Sequence, residues 1–213
     1  MANLNIMDLL DLEPQEQVGA FIKTMKRELI SHQVSFDEDI GAPSKYRDLI
    51  NLLYMADENT EFNFFVNSSG GGLSAASAII EGIKGSDATV RAIITGECHS
   101  AASLIAFNCH EIIVTDAAHA LIHTASYGAT GNTHMVQSHV DFSSKMINKI
   151  LVETYSGFLN PAELIDVMKG IEMWFSADEI RSRLEARKTF MEAAEEAAQA
   201  PEKKSRTRRS KAK

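Results

Sequence analysis

The sequence predicts an α/β fold with a mainly parallel sheet. A short apolar strand ends in a glycine-rich turn, residues 67–72, and the small-residue stretch Leu73–Lys84 that follows has the spacing of a helix. The same order returns when a β-branched strand, residues 88–95, ends at Gly96 and a second small-residue helix begins at Ser100. Strands that alternate with helices in this way are typical of parallel sheets covered by helices.

The remaining elements follow from the strand period of two and the helix period of 3.6. They are, in chain order, a helix from Met1 to about Ile30, a strand over 28–36, a helix from Ser44, strands over 111–115 and 120–124, helices over 133–155 and 161–169, a strand over 173–175, and a helix to about residue 200 that a capping box at Ser176 and Glu179 opens. No internal repeat is visible.

Length and composition indicate one folded domain with short extensions. The chain has 213 residues, 45% of them hydrophobic and 23% charged, which is enough to bury one substantial core. We divide it into an N-terminal helical extension over 1–27, a folded domain over 28–184, a C-terminal helix over 185–200 and a basic, disordered tail over 201–213.

The net charge of −8 hides an asymmetry between the body and the tail. Residues 202–213 carry seven Lys or Arg and one acid, which leaves 14 basic and 28 acidic side chains in residues 1–201. Because an acidic body repels nucleic acid, nucleic-acid binding is expected only through the tail. The alternative for the tail is a solvated end without a partner.

Composition also bears on metals, membranes and location. Cys98 and Cys109 lack paired metal spacing, and His134 and His139 are poorly aligned for a shared ion on a helix, so we expect no metal and no cofactor. Acidic residues interrupt the apolar stretch at the N-terminus, and no run approaches the roughly 20 apolar residues of a membrane span. We therefore expect a cytoplasmic protein without membrane contact.

The glycine-rich turn is the first candidate for chemistry. Glycines after a buried strand allow positive φ and leave amide N–H groups that suit a phosphate or an oxyanion. The turn lacks the Gly-Lys-Ser/Thr of a phosphate-binding loop and the spacing of a dinucleotide fingerprint. An ordinary strand-to-helix turn therefore remains an alternative.

Ser100 is the second candidate, again between a strand and a helix. A serine oxygen at a helix N-terminus lies near the positive end of the helix dipole, and the next amide can donate to a developing oxyanion. This is the position of a nucleophile. A serine that merely caps the helix fits the same spacing.

His123 is the histidine on the strand that follows the Ser100 helix. A polar side chain in an apolar strand suits either a general base that faces a cleft or a hydrogen-bonded histidine of the core.

Together these segments resemble the proteolytic subunits of Clp proteases. The segments that carry the resemblance are residues 62–72, 96–101 with the strand before them, 120–123 and 174–179, and it extends over about residues 28–183. It implies a ClpP/crotonase-like α/β fold of stacked, repeated β-β-α units with a protruding long helix. It also implies a serine endopeptidase that cleaves unfolded or extended polypeptides, with an ATP-dependent, ring-shaped unfoldase as partner.

The resemblance assigns roles to individual residues. Ser100 matches the nucleophile and His123 the catalytic histidine, while the amides of Gly70 and Ala101 match the oxyanion hole, with Gly71 as the neighbouring alternative. The family's homo-oligomer of heptameric rings, stacked through the long helix, implies that the site lies inside a chamber.

The acidic member of the triad departs from the family pattern. An ungapped alignment on 175–177 places Met168 where the family has its aspartate, and a methionine cannot orient an imidazole. Asp166, two residues earlier, is the first candidate for the acid, and Glu172 and Asp141 are the others. A catalytically impaired structural or regulatory ring subunit is therefore the alternative function.

Two further departures lie at the ends of the chain. The segment before Glu28 does not resemble the family's axial loop, which contacts the ATPase, and the chain after Leu184 continues as a helix where the family has a short strand. A third interpretation keeps the core fold and replaces peptidase chemistry by that of acyl-CoA hydratases and isomerases.

Overall fold

The structure is a computed structural model that describes residues 28–199, with side chains described through residue 193. The predicted N-terminal extension over 1–27 and the basic tail over 201–213 lie outside the described residues.

Six strands and six α-helices lie along this part of the chain, and they alternate from β1 to α3. They are β1 (Ile30–Phe36), α1 (Arg47–Met55), β2 (Thr60–Ser68), α2 (Leu73–Lys84), β3 (Thr89–His99), α3 (Ala101–Phe107), β4 (Glu111–Val114), β5 (His119–Ile122), α4 (Thr133–Tyr155), α5 (Pro161–Met168), β6 (Met173–Ser176) and α6 (Ala177–Gln199). A 3₁₀ turn over Pro43–Tyr46 leads into α1. The fold is mixed α/β, as the sequence predicts.

The strands form one sheet in the order β1-β2-β3-β5-β6, with β4 pairing to β3 beside β5. The pairs from β1 to β5 are all parallel, and only β6 runs antiparallel, against β5. The mainly parallel sheet is therefore confirmed. Because parallel strands end at the same edge of a sheet, the segments after β2, β3 and β5 meet there.

The core lies between the sheet and the helices. Alternate residues of β2 and β3 face it, so each strand presents apolar side chains with period two. The largest fully buried side chains come from both layers: Phe62, Phe64, Val66, Ile94, Ile122, Leu53, Ile79, Ile83, Ile105, Phe107, Tyr155 and Ile180. Burying a side chain of this size contributes about 1.5–3 kcal/mol each, which fixes the sheet edge under the site.

Helix α6 is held on the body by three arginines. Arg181 donates to the carbonyl oxygen of Val114, Arg183 binds Glu163 with 2.8 Å between Nη2 and Oε1, and Arg187 donates to two backbone carbonyls. The helix continues without a break through residue 184, as the sequence predicts. None of the helices between residues 28 and 199 combines the length and apolar content that crossing a bilayer requires.

Candidate active site

Ser100 lies at the sharp turn between β3 and α3, with φ 52° and ψ −120°. Within residues 28–199 it is the one non-glycine residue with positive φ. Such a conformation costs about 1–3 kcal/mol and persists only where the surroundings fix it. Here the Ser100 N–H donates to Leu121 O at 2.9 Å, and its carbonyl accepts from Leu104 N at 3.1 Å.

The Ser100 hydroxyl does not cap the helix. No side-chain capping hydrogen bond forms at this position of α3, and the serine is partly exposed to a cavity. The turn therefore presents the oxygen to solvent rather than to the backbone, as a nucleophile requires.

Gly70 lies directly against the Ser100 turn. Its φ is 105°, and a methyl group added there would lie 2.7 Å from Ser100 Cβ and 3.1 Å from Ala101 N. Any side chain would therefore collide with the turn. The glycine brings the β2–α2 segment against the first amide of α3, which the oxyanion-hole assignment of Gly70 and Ala101 requires.

The amides around Ser100 differ in their partners. Gly70 N–H donates to Ser68 Oγ at 3.2 Å, while Ile40 binds Gly70 O and Gly72 N from the opposite side. Within residues 28–193, no acceptor is found for Gly71 N–H or Ala101 N–H. Gly71 is therefore the better-placed partner of Ala101 for an anion.

Ser100 and His123 share one cavity of about 480 Å³. The polar part of its wall comes from the sheet edge, and its apolar part from α3, α4 and the start of α2. The lining residues are Ser69, Gly71, Gly72, Leu73, Ser100, Ala101, Leu104, His123, Ala125, Ser126, Ile147, Ile150 and Leu151. The sequence places His123 on a strand over 120–124, but β5 ends at Ile122, so half-buried His123 lies one residue beyond the strand.

The candidate acids lie elsewhere. Asp166 on α5 pairs with Lys169, with 3.5 Å between its Oδ1 and Nζ, and does not line the cavity. Asp141 on α4 accepts from Gln137 at 2.8 Å, and Glu172 is exposed. Among residues 28–193, no carboxylate and no Ser100 hydroxyl is hydrogen-bonded to His123. Met168 packs against the core.

His99, next to Ser100, does not line the cavity. Its ring packs edge-on against His119 and Trp174, with centroids 5.0 and 5.1 Å away. Burial lowers the pKa of His99, opposed by the nearby Glu97 carboxylate, so the ring stays neutral near pH 7. Within the described residues, no group of three or more histidine, cysteine or carboxylate side chains is placed to bind a metal.

Two contacts of the site are not evident from the sequence patterns. Ser103 Oγ donates to the carbonyl of Ser100 at 2.7 Å and lies 2.6 Å from the hydroxyl of Tyr155 at the end of α4. A serine inside an otherwise apolar helix is a weak signal for such a contact. The partner, 52 positions away, leaves no local pattern.

Known proteins resemble the chain both in fold and in sequence. A ClpP1 mutant from Listeria monocytogenes superimposes with a TM-score of 0.55 at 19% identity, covering 71% of this chain and 86% of that one. A search of curated protein sequences found no match. The sequence matches the family described as Clp protease over residues 16–198. With this match over most of its length, the chain belongs to the Clp protease family.

Proposed function

We propose that the protein is a serine endopeptidase with Ser100 as nucleophile and His123 as general base. The observation that carries the proposal is the positive-φ turn at Ser100, whose uncapped hydroxyl opens into the cavity that His123 also lines. Membership of the Clp protease family supports peptidase chemistry in general.

Each step of the mechanism has a candidate group. His123 accepts the Ser100 proton as Ser100 Oγ attacks the peptide carbonyl, and the oxygen of the tetrahedral intermediate accepts hydrogen bonds from amides beside the turn. We assign Ala101 as one donor and Gly71 or Gly70 as the second. His123 then protonates the leaving amine, and water hydrolyses the acyl-enzyme through the same base.

We propose Asp166 as the acid, although its carboxylate would first have to leave Lys169. The exposed pair with Lys169 contributes under about 1 kcal/mol, so breaking it costs little. The carboxylate would also have to move to the cavity, which it does not line. Without an acid on His123, the serine, histidine and oxyanion hole still give part of the rate. A slow peptidase is therefore the expected minimum.

The substrate we propose is an unfolded or extended polypeptide. Ile40 already pairs with one side of the Gly70–Gly72 segment, so the free amide of Gly71 faces the cavity. An extended peptide can pair with that side by strand addition. The apolar wall from α3 and α4 then accepts an apolar side chain next to the cleaved bond.

Assembly and location belong to the same proposal. We propose homo-oligomeric, heptameric rings stacked through α4, with the site inside a chamber, in the cytoplasm. From the family resemblance we also propose a crotonase-like core of stacked, repeated units. The same resemblance supports an ATP-dependent unfoldase as partner. Nucleic acid would bind, if at all, through the basic tail.

Labelling with a fluorophosphonate tests the nucleophile. We expect the assembled protein to be modified at Ser100, located by mass spectrometry of the labelled peptide, and Ser100→Ala to be unreactive. Ser86→Ala is the matched control, because Ser86 lies in the α2–β3 connection at the opposite edge of the sheet. Assembly without labelling would favour the catalytically impaired ring subunit instead. Slower labelling of Asp166→Asn than of Lys169→Met would support Asp166 as the acid, and equal rates would remove it.

A further inference from the structure

A buried pair of hydroxyls connects the end of α4 to the nucleophile turn. Ser103 and Tyr155 are at most 1% exposed, and their side-chain oxygens lie 2.6 Å apart. Ser103 Oγ also lies 2.7 Å from the carbonyl oxygen of Ser100 and 3.5 Å from that of Leu121. No solvent reaches either hydroxyl, so each must satisfy its bonds within this group.

The direction of these bonds follows from the number of protons. A serine hydroxyl has one proton to donate, and a carbonyl oxygen can only accept. Ser103 therefore donates to Ser100 O, the nearer of its two carbonyls, and Tyr155 must donate to Ser103. Burial raises the pKa of Tyr155, so its phenol keeps the proton that this arrangement needs.

The Ser100 carbonyl is the last acceptor in this series of hydrogen bonds, and its peptide unit also contains the Ala101 N–H. Because a peptide unit is planar and trans, fixing the direction of Ser100 C=O also fixes the opposite direction of Ala101 N–H. Hydrogen bonds to a carbonyl also polarise its peptide, which strengthens the amide as a donor. The Ala101 amide is the one that the proposed mechanism directs at the oxyanion.

We infer that Ser103 and Tyr155 are positioning residues of the oxyanion hole, an inference that rests on the proposed function. Tyr155 donates to Ser103, Ser103 donates to Ser100 O, and the chain of bonds aims and polarises the Ala101 amide. The positive φ of Ser100 makes this peptide one that needs outside support.

Tyr155 is itself fixed by the helices around it. Its ring packs edge-on against Phe107 at 5.4 Å, and Arg187 of α6 donates to the carbonyls of Thr154 and Phe107. These contacts hold the Tyr155 hydroxyl within hydrogen-bonding distance of Ser103.

A plain packing role for these hydroxyls would have different consequences. A control is available in Thr154, whose hydroxyl accepts from Asn108 Nδ2 at 3.0 Å. This bond also joins the ends of α3 and α4 and is partly buried, but it does not reach Ser100. Thr154→Val should therefore lower stability without slowing chemistry.

The test is a double-mutant cycle with Ser103→Ala, Tyr155→Phe and the combined variant. Second-order rates of fluorophosphonate labelling, kcat and KM on a fluorogenic peptide, and Tm are measured for each. We expect labelling and kcat to fall roughly tenfold in Ser103→Ala and about threefold in Tyr155→Phe, below the 10²–10³ loss of a direct oxyanion donor. KM should stay within about twofold. Tyr155→Phe should slow labelling no further when Ser103 is already alanine.

The remaining outcomes test the positioning role separately from the proposed function. Rates of Tyr155→Phe and Ser103→Ala equal to wild type, with wild type labelled at Ser100, would overturn the positioning role and leave the proposed function intact. A Thr154→Val variant slowed as much as Tyr155→Phe would also overturn it. Failure of assembled wild type to label would reject the proposed function, and the positioning role with it.

Discussion

Gly70 lies so close to the Ser100 turn that a side chain there would be unfavourable for two reasons, its positive φ and its steric overlap with the turn. Positive φ costs an L-residue about 1–2 kcal/mol, and forcing a methyl into occupied space costs about 1–3 kcal/mol more. At Gly70 both apply, because φ is 105° and the added methyl would lie 2.7 Å from Ser100 Cβ and from His99 O.

We expect Gly70→Ala to lose about 2–5 kcal/mol of unfolding free energy and more than 100-fold in fluorophosphonate labelling rate. Urea unfolding and labelling kinetics measure the two. Gly170→Ala is the matched control, because Gly170 has φ 99° with nothing within 4 Å of the added methyl. Gly170→Ala should lose only the unfolding free energy that positive φ costs, and it should be labelled at the wild-type rate. Similar labelling of the two variants would show that the close approach at Gly70 is unimportant.

At the scale of elements, much of the fold is predictable from local pattern. The long helix α4 has the predicted bounds, Thr133–Tyr155, because its apolar spacing runs over six turns and Asn132 caps its start. Helix α2 likewise has the predicted bounds. Ser100 and His123 are found in one cavity because parallel topology brings the ends of β3 and β5 to the same sheet edge.

Long-range contacts limit the prediction of β3. The glycine at 96 indicates a strand end after Thr95, but β3 continues to His99. Asn67 Oδ1 occupies the space that a side chain at Gly96 would need and accepts from Glu97 N at 3.0 Å. Residues 97–99 then pair with β5 after residues 91–94 have paired with β4. This change of partner depends on β4 and β5, which follow β3 in the sequence, so the local pattern of β3 does not indicate it.

The acid that would serve His123 cannot be predicted from local pattern, for a similar reason. Sequence offers several carboxylates near the expected position, but which one approaches His123 depends on helix rotation and on packing. Asp166 pairs with Lys169 three residues on, a local contact available to any exposed helix.

Glu163 links α5 to α6 and makes this contact pH-dependent. Hydrogen bonds from Arg183, and then the Asn160 amide, lower the pKa of Glu163 against the opposing effect of burial. A lowered folded-state pKa means that the contact stabilises the fold above the ordinary glutamate value of about 4.3, and is lost as pH falls through the folded-state value.

We expect Glu163→Gln to be less stable than wild type at pH 7, with the difference narrowing as pH falls through the lowered folded-state pKa of Glu163 and its carboxyl takes up a proton. Urea midpoints across this pH range measure the effect. In an Arg183→Met background, the stability difference caused by Glu163→Gln should vary much less with pH, because Glu163 then has no Arg183 partner. A wild-type advantage that stayed the same down to acid unfolding would contradict this account.

For the whole molecule, the two halves of α4 have different surroundings. All of its buried residues, Ile147, Leu151, Thr154 and Tyr155, lie in the second half, which also lines the cavity. The first half has no buried residue and exposes Met135 and Phe142 at 59% and 66%, followed by Met146 at 48%. These three side chains lie at spacings of seven and four, which places them on one face of the helix.

An exposed apolar helix face of this kind indicates an interaction surface, and under the proposed ring stacking its partner is another copy of the chain. Phe142→Glu places a charge on that face, and burying it unpaired would cost several kcal/mol. If α4 joins stacked rings, the particle mass should fall to about half, as measured by analytical ultracentrifugation, while Phe142→Leu keeps the wild-type mass. Because the second half of α4 forms the cavity wall and holds Tyr155, single rings should also label at Ser100 more slowly than stacked ones. An unchanged mass for Phe142→Glu would place the contact between rings on another surface.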